Sequence, residues 1–154
     1  MSGAQPGGAG REATDTTHFV SVAENLKPYK VDGHRHQAEL DAYFGPATFV
    51  PHLVPIDQGL MASCYVRASR EVGADEVREM FEAAYRDDPF VELVDSPPGV
   101  RDVRDTNLCR IHVTVVEGTV ISFAAIDNLW KGAAGQAVQD LNLMLGYDET
   151  EGLQ

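Results

Sequence analysis

The residues best suited to chemistry lie in the stretch YKVDGHRHQAEL, Tyr29 to Leu40, where His34 and His36 stand two residues apart beside Gly33, Arg35 and Lys30. An imidazole near its ordinary pKa of about 6.5 exchanges protons at neutral pH, so the pair reads as an acid/base element. Gly33 would let the backbone turn tightly just before it. Lys30 and Arg35 add positive charge that would hold an anionic substrate, Arg35 with the fork geometry that suits carboxylate or phosphate. A metal is the competing use of an H-x-H pair. The remaining histidines, His18, His52 and His112, offer no spacing that supplies a third ligand, so no metal site is expected. An exposed helix start is the plainest use of the segment.

Two further features could carry chemistry. Cys64, in the run SCY, has the look of a nucleophile, yet it alternates with Leu60, Ala62 and Val66 on what reads as an apolar strand face. Burial there would raise the thiol pKa and hide it, so Cys64 is expected in the core, and Cys109 likewise. In DNLWKGAAGQA, small residues would allow a backbone or a flat ligand to come close to a helix start. The free N–H groups of that start attract anions, and Lys131 strengthens the field. A tightly packed helix start is the default use of the same pattern.

These side chains need elements to position them. His34 to Phe44 places Leu40, Tyr43 and Phe44 at helical spacing and stops at Gly45-Pro46, which puts both histidines at a loop-to-helix junction. Thr48 to Gly59 holds Pro51 and Pro55 and is extended without being a central strand. Leu60 to Arg67 alternates as a strand. ADEVREMFEAAYRDD puts Val77, Met80, Phe81, Ala84 and Tyr85 on one helical face. Phe90 to Val94 reads as a short strand, and LCRIHVTVVEGTVISFAAI as a hairpin turning at Glu117-Gly118. Cys109, Ile111, Val113 and Val115 share one face of its first strand, leaving His112 on the polar face as a surface or interface residue. A long helix capped by Asp127 or Asn128 and stopped by Gly146 closes the chain. Arg11 to Leu26 is weakly helical. The first ten residues, MSGAQPGGAG, read as a flexible lead, because Gly7, Gly8 and Gly10 are followed by no GK[ST] as a phosphate loop would require.

This order implies an α+β domain over residues 11–154, a mainly antiparallel sheet with helices packed on one face. Its 154 residues, 44% of them hydrophobic, suffice for one compact core. A net charge of −12 repels phosphate backbones and anionic membranes, so no nucleic-acid or membrane partner is expected. Two cysteines without CxxC spacing, no long apolar run and no signal-peptide pattern fit a cytoplasmic protein.

Several segments together resemble the C-terminal half of the N-acetyl-γ-glutamyl-phosphate reductases: GAGR, ENLKPYKVDGHRHQAEL, FVPHLVPIDQGLMASCYV, DVRDTNLCRIHV and AIDNLWKGAAGQAVQDLNLMLGYDETEGL, in family order. The resemblance implies a glyceraldehyde-3-phosphate dehydrogenase-like substrate-binding and dimerisation domain. In that family a separate N-terminal Rossmann domain binds NADP and carries the cysteine that attacks the acyl phosphate. Neither a Rossmann fingerprint nor that cysteine's proline-glycine-cysteine-tyrosine setting occurs here, so the chain is expected to be inactive alone. By the resemblance, His34, with His36 second, is the base that draws the proton from the cysteine. Arg35 and Lys30 position the acyl-phosphate substrate, and Asn128, Lys131 and Gly132 lie near the nicotinamide end of NADP. The partners it implies are a second copy or a Rossmann-domain chain. A non-catalytic dimerising protein and a fragment of the related aspartate-semialdehyde dehydrogenases are the alternatives.

Overall fold

The computed structural model describes residues 23–154. The glycine-rich lead and most of the weakly helical stretch from Arg11 to Leu26 lie outside them. The chain divides into two compact units, Met1–Asp57 and Gln58–Gln154, a boundary inside the expected 11–154 domain.

In the first unit, β1 (Lys27–Pro28) pairs antiparallel with β2 (His52–Leu53), Lys27 opposite Leu53. Between them runs α1 (Arg35–Phe44). Gly45 ends the helix at φ 78°, where a side chain would be strained, and its N–H donates to Asp41 O. The turn before α1 places its left-handed residue at Lys30 (φ 47°), while Gly33 closes it by donating to Lys30 O at 3.3 Å. The glycine expected to supply that freedom thus stands at the other end of the turn from Lys30, where the backbone takes the left-handed conformation.

The second unit is built on a four-stranded sheet, β3 (Leu60–Arg67), β6 (Thr119–Ile126), β5 (Cys109–Val116) and β4 (Val91–Leu93), in that spatial order. All neighbours are antiparallel except β4, which runs parallel to β5. Glu117 and Gly118 both take positive φ, as a two-residue hairpin requires, and set Val116 opposite Thr119. Ile111 and Val113 on one face of β5 are buried, while Arg110, His112 and Thr114 on the other are half-buried, as their alternation predicts. Helix α2 (Ala74–Ala84) lies against β5 and starts with Asp75 and Glu76, whose charge complements its dipole. Val77 is buried, but Met80 on the same apolar face is exposed.

The closing element departs from the expected single helix. Trp130–Ala134 forms one π-helical turn, with Ala134 N–H donating to Leu129 O and Gly135 N–H to Trp130 O. Regular helix α3 (Gly135–Leu145) follows and ends at Gly146 in the left-handed conformation. Such wide turns concentrate at functional sites. Among the described residues the architecture is α+β, with a mostly antiparallel sheet and three α-helices.

Cys64 corrects the sequence reading. It is exposed, as are Leu60 and Val66 beside it, because β3 is the sheet's edge strand and burial of a strand face needs an element laid over it. Cys109, on the inner strand β5, is partly covered, and burial pushes its thiol pKa up against the opposing pull of Lys131. Among the described residues, no helix is long and apolar enough to cross a membrane.

Candidate functional site

The first unit gathers the histidine pair. His34 is the N-cap of α1: its Nδ1 accepts from the His36 N–H at 3.2 Å, satisfying one of the helix's unpaired donors. The His34 and His36 rings meet edge to face at 4.7 Å. Phe49 packs on His34 at 5.1 Å and lies 6.1 Å from His36, and Tyr29 closes the far side of His34 at 5.6 Å. The pair therefore sits half-buried among aromatic rings.

Gln37 holds this arrangement together. At the third position of α1 a glutamine ordinarily folds back onto the cap residue. Here its amide instead donates to Ala47 O at 2.7 Å and to Asp41 Oδ1 at 2.9 Å, and accepts from Phe49 N–H at 3.0 Å. Asp41 adds a bond from Ala47 N–H. The strand-ward loop is thereby fastened to the helix, with the Phe49 ring against the histidines. Sequence reasoning missed Gln37 because its partners lie ten and twelve residues away.

The environment disfavours a charged His34. Partial desolvation is the largest cause and pulls its pKa below the usual 6.5, with His36, Lys30 and Arg35 adding repulsion and Glu39 partly opposing. Lys30 and Arg35 are both exposed, Arg35 between the two histidines in the chain. A folded-state pKa below the unfolded one means the unfolded chain binds the extra proton. Stability from the neutral, cap-accepting ring is then fully present above about 6.5 and is lost as pH falls through the lowered value. The protection factor of the His36 amide proton, held by the cap, should accordingly drop with falling pH, its midpoint matching the His34 titration. In His34→Asn, which keeps a capping oxygen but does not titrate, that dependence should vanish.

Asn128, Lys131 and Gly132 lie in the second unit. Asn128 Oδ1 accepts from Gly59 N–H at 2.6 Å, pinning the entry to β3. Lys131 Nζ donates to Gln139 Oε1 at 2.6 Å and stands 5.4 Å above the Phe90 ring, and burial lowers its pKa. Both side chains thus already have protein partners. A Cβ at Gly132 would meet its neighbours at ordinary contact distances, so glycine is not sterically demanded there. It is demanded at Gly135, where an added Cβ would overlap Asn107 Oδ1.

Asn107 is fully buried. Its amide donates to Gln139 Oε1 at 2.9 Å, and its N–H to Gln154 O at 2.6 Å. Its Oδ1, buried without a hydrogen-bond partner, faces the bare Cα of Gly135. Gln139 in turn donates to Glu149, so the network ties α3 to the segment that follows it. Gly135→Ala should cost about 1–3 kcal/mol through overpacking, read as a lowered urea midpoint with unchanged m.

Asp127 anchors the π-turn. Although fully buried, it accepts from Leu129 N–H (2.8 Å) and Trp130 N–H (3.2 Å) through Oδ1, and from Asp105 N–H and Gln58 Nε2 (both 2.8 Å) through Oδ2. Of the two expected caps it is therefore Asp127 that starts the turn. Among the described residues, no three His, Cys, Asp or Glu side chains gather as a metal site would need.

The family model for the semialdehyde dehydrogenase dimerisation domain matches residues 2–128. Over 157 residues the chain is 41% identical to an N-acetyl-γ-glutamyl-phosphate reductase of Dehalococcoides mccartyi, a match covering 96% of this chain and 46% of that protein. Proteins of the same name from Methanosarcina acetivorans (39% identical) and Geobacillus stearothermophilus (40%) match over 95% and 96% of the chain, and likewise over 46% of their own length. The chain spans about half the length of these relatives. In fold it resembles aspartate semialdehyde dehydrogenase II of Vibrio cholerae, with a TM-score of 0.64 at 21% identity over 86% of this chain and 44% of that one. The chain belongs to the semialdehyde dehydrogenase family, through that family's dimerisation domain.

Proposed function

We propose that this chain is the substrate-binding and dimerisation half of an N-acetyl-γ-glutamyl-phosphate reductase, which reduces the acyl phosphate to its semialdehyde with NADPH in the cytoplasm. The observation that carries the reading is the histidine pair, capped, packed among aromatics and accompanied by the exposed Lys30 and Arg35, in a chain about 40% identical to reductases of that name. The cysteine nucleophile and the main NADP site belong to a Rossmann-fold half. In the completed enzyme the histidines manage the thiol proton, while Lys30 and Arg35 receive the anionic substrate.

NADP supplies the hydride when bound. The side chains of Asn128 and Lys131 fit this group poorly as polar ligands, since Gly59, Gln139 and Phe90 already engage them. We assign Asn128, Lys131 and Gly132 instead to a wall near the nicotinamide, with its shape held by Asp127. A second copy would cover the sheet face that carries the exposed Met61 and Tyr65 with His112 and Phe123, whose rings stack at 6.5 Å.

The test is to mix the chain with a Rossmann-half reductase polypeptide and follow NADPH oxidation that depends on acyl phosphate. Turnover only in the mixture is expected. A stable dimer with no turnover in any mixture would favour a non-catalytic dimerising protein instead.

A further inference from the structure

Resting on the acid/base reading above, we infer that the two histidines have different tasks: His34 is a fixed hydrogen-bond donor through Nε2–H, and His36 is the proton acceptor. The division follows from the cap. A backbone N–H can only donate, so the Nδ1 that receives the His36 N–H must hold a lone pair, and a neutral His34 then carries its proton on Nε2. The nitrogen left for a substrate or a thiolate is an N–H. For His34 to accept a proton at Nε2, Nδ1 would have to gain the hydrogen, and N–H would face N–H across the helix cap. The first turn of α1 would lose its bond. The aromatic packing of Tyr29 and Phe49 and the three-bond clamp of Gln37 oppose any rotation that would release the ring.

His36 meets none of these constraints. Its ring meets His34 edge to face and lies tilted 6.1 Å from Phe49, and among the described residues neither ring nitrogen has a hydrogen-bond partner. Either nitrogen can take up a proton without breaking a bond in the fold. The pair thus presents a donor and an acceptor on rings whose centroids lie 4.7 Å apart, one to steady a developing anion and one to receive the proton.

Asparagine separates the tasks, because it keeps a capping oxygen and an amide donor but does not titrate. In the mixture with the Rossmann-half polypeptide, His34→Asn should retain kcat within about tenfold, whereas His36→Asn should lose about 10²–10⁴-fold. Equal losses, or a loss confined to His34→Asn, overturn the division and leave the acid/base reading standing; no loss in either variant removes both. Imidazole ¹⁵N–¹H spectra of the chain alone give a readout independent of turnover. Neutral His34 should show the Nε2–H form, and an Nδ1–H ring there overturns the inference.

Discussion

With alanine at both His34 and His36, the reconstituted reductase should turn over about 10²–10⁴-fold more slowly, the contribution of a positioned acid/base group. The loss should fall on kcat more than on KM, since Lys30 and Arg35, the residues assigned to the anionic substrate, are untouched. Its pH profile should also change in kind. Without a proton acceptor the cysteine must ionise unaided, so the variant's rate should climb as pH passes the free-thiol value of about 8.5, where the unmodified enzyme has already levelled. A merely structural role would lower the rate evenly at every pH. The cap lost from α1 would cost about 1 kcal/mol, too little by itself to unfold the chain.

Asp127→Ala should be the most destabilising single substitution, at about 3–5 kcal/mol for Gln58–Gln154. The size follows from what the carboxylate leaves behind. Three backbone N–H groups, of Asp105, Leu129 and Trp130, and the Gln58 amide all converge on it in a site closed to solvent, and alanine offers them nothing. Asp127→Asn should cost less, since its remaining oxygen can keep the two bonds that start the π-turn, while its NH₂ confronts the donors of Asp105 and Gln58. Urea unfolding followed by the fluorescence of Trp130, which sits on that turn, reads both. A change below about 1 kcal/mol in the alanine variant would contradict the role given to this residue.

Local patterns made much of the fold legible. The alternation of Leu60 to Arg67, the Glu117-Gly118 turn and the stop at Gly146 are set by neighbouring residues, and each stands where its pattern put it. Burial was less legible, because alternation tells which residues share a face but not whether anything covers it. Cys64 and Cys109 share a face and differ in exposure only because β3 is at the edge and β5 is inside. The π-turn was hidden for a related reason. Asn128 and Asp127 look alike as caps in sequence, but the choice depends on Gln58, Gly59 and Asp105, which the fold brings from far along the chain.

At the candidate site the histidines announced themselves by residue type, and their place at a helix start by spacing. Their unequal status did not. It comes from one hydrogen bond between residues two apart, and from the Gln37 clamp on a loop that sequence shows only as proline-bearing and extended. Gly135 was likewise masked by the more conspicuous Gly132, because only the buried Asn107 distinguishes them.

The central claim is that this chain brings a proton acceptor to the cysteine of a Rossmann-fold half. Its most direct measurement is the pH dependence of iodoacetamide alkylation of that cysteine in the Rossmann-half polypeptide, alone and with this chain. Alone, the midpoint should lie near the free-thiol value of about 8.5. The unmodified chain should lower it by about one unit or more, and the chain with alanine at His34 and His36 should not. One common midpoint for all three samples, with the two polypeptides shown to be associated, would contradict the account.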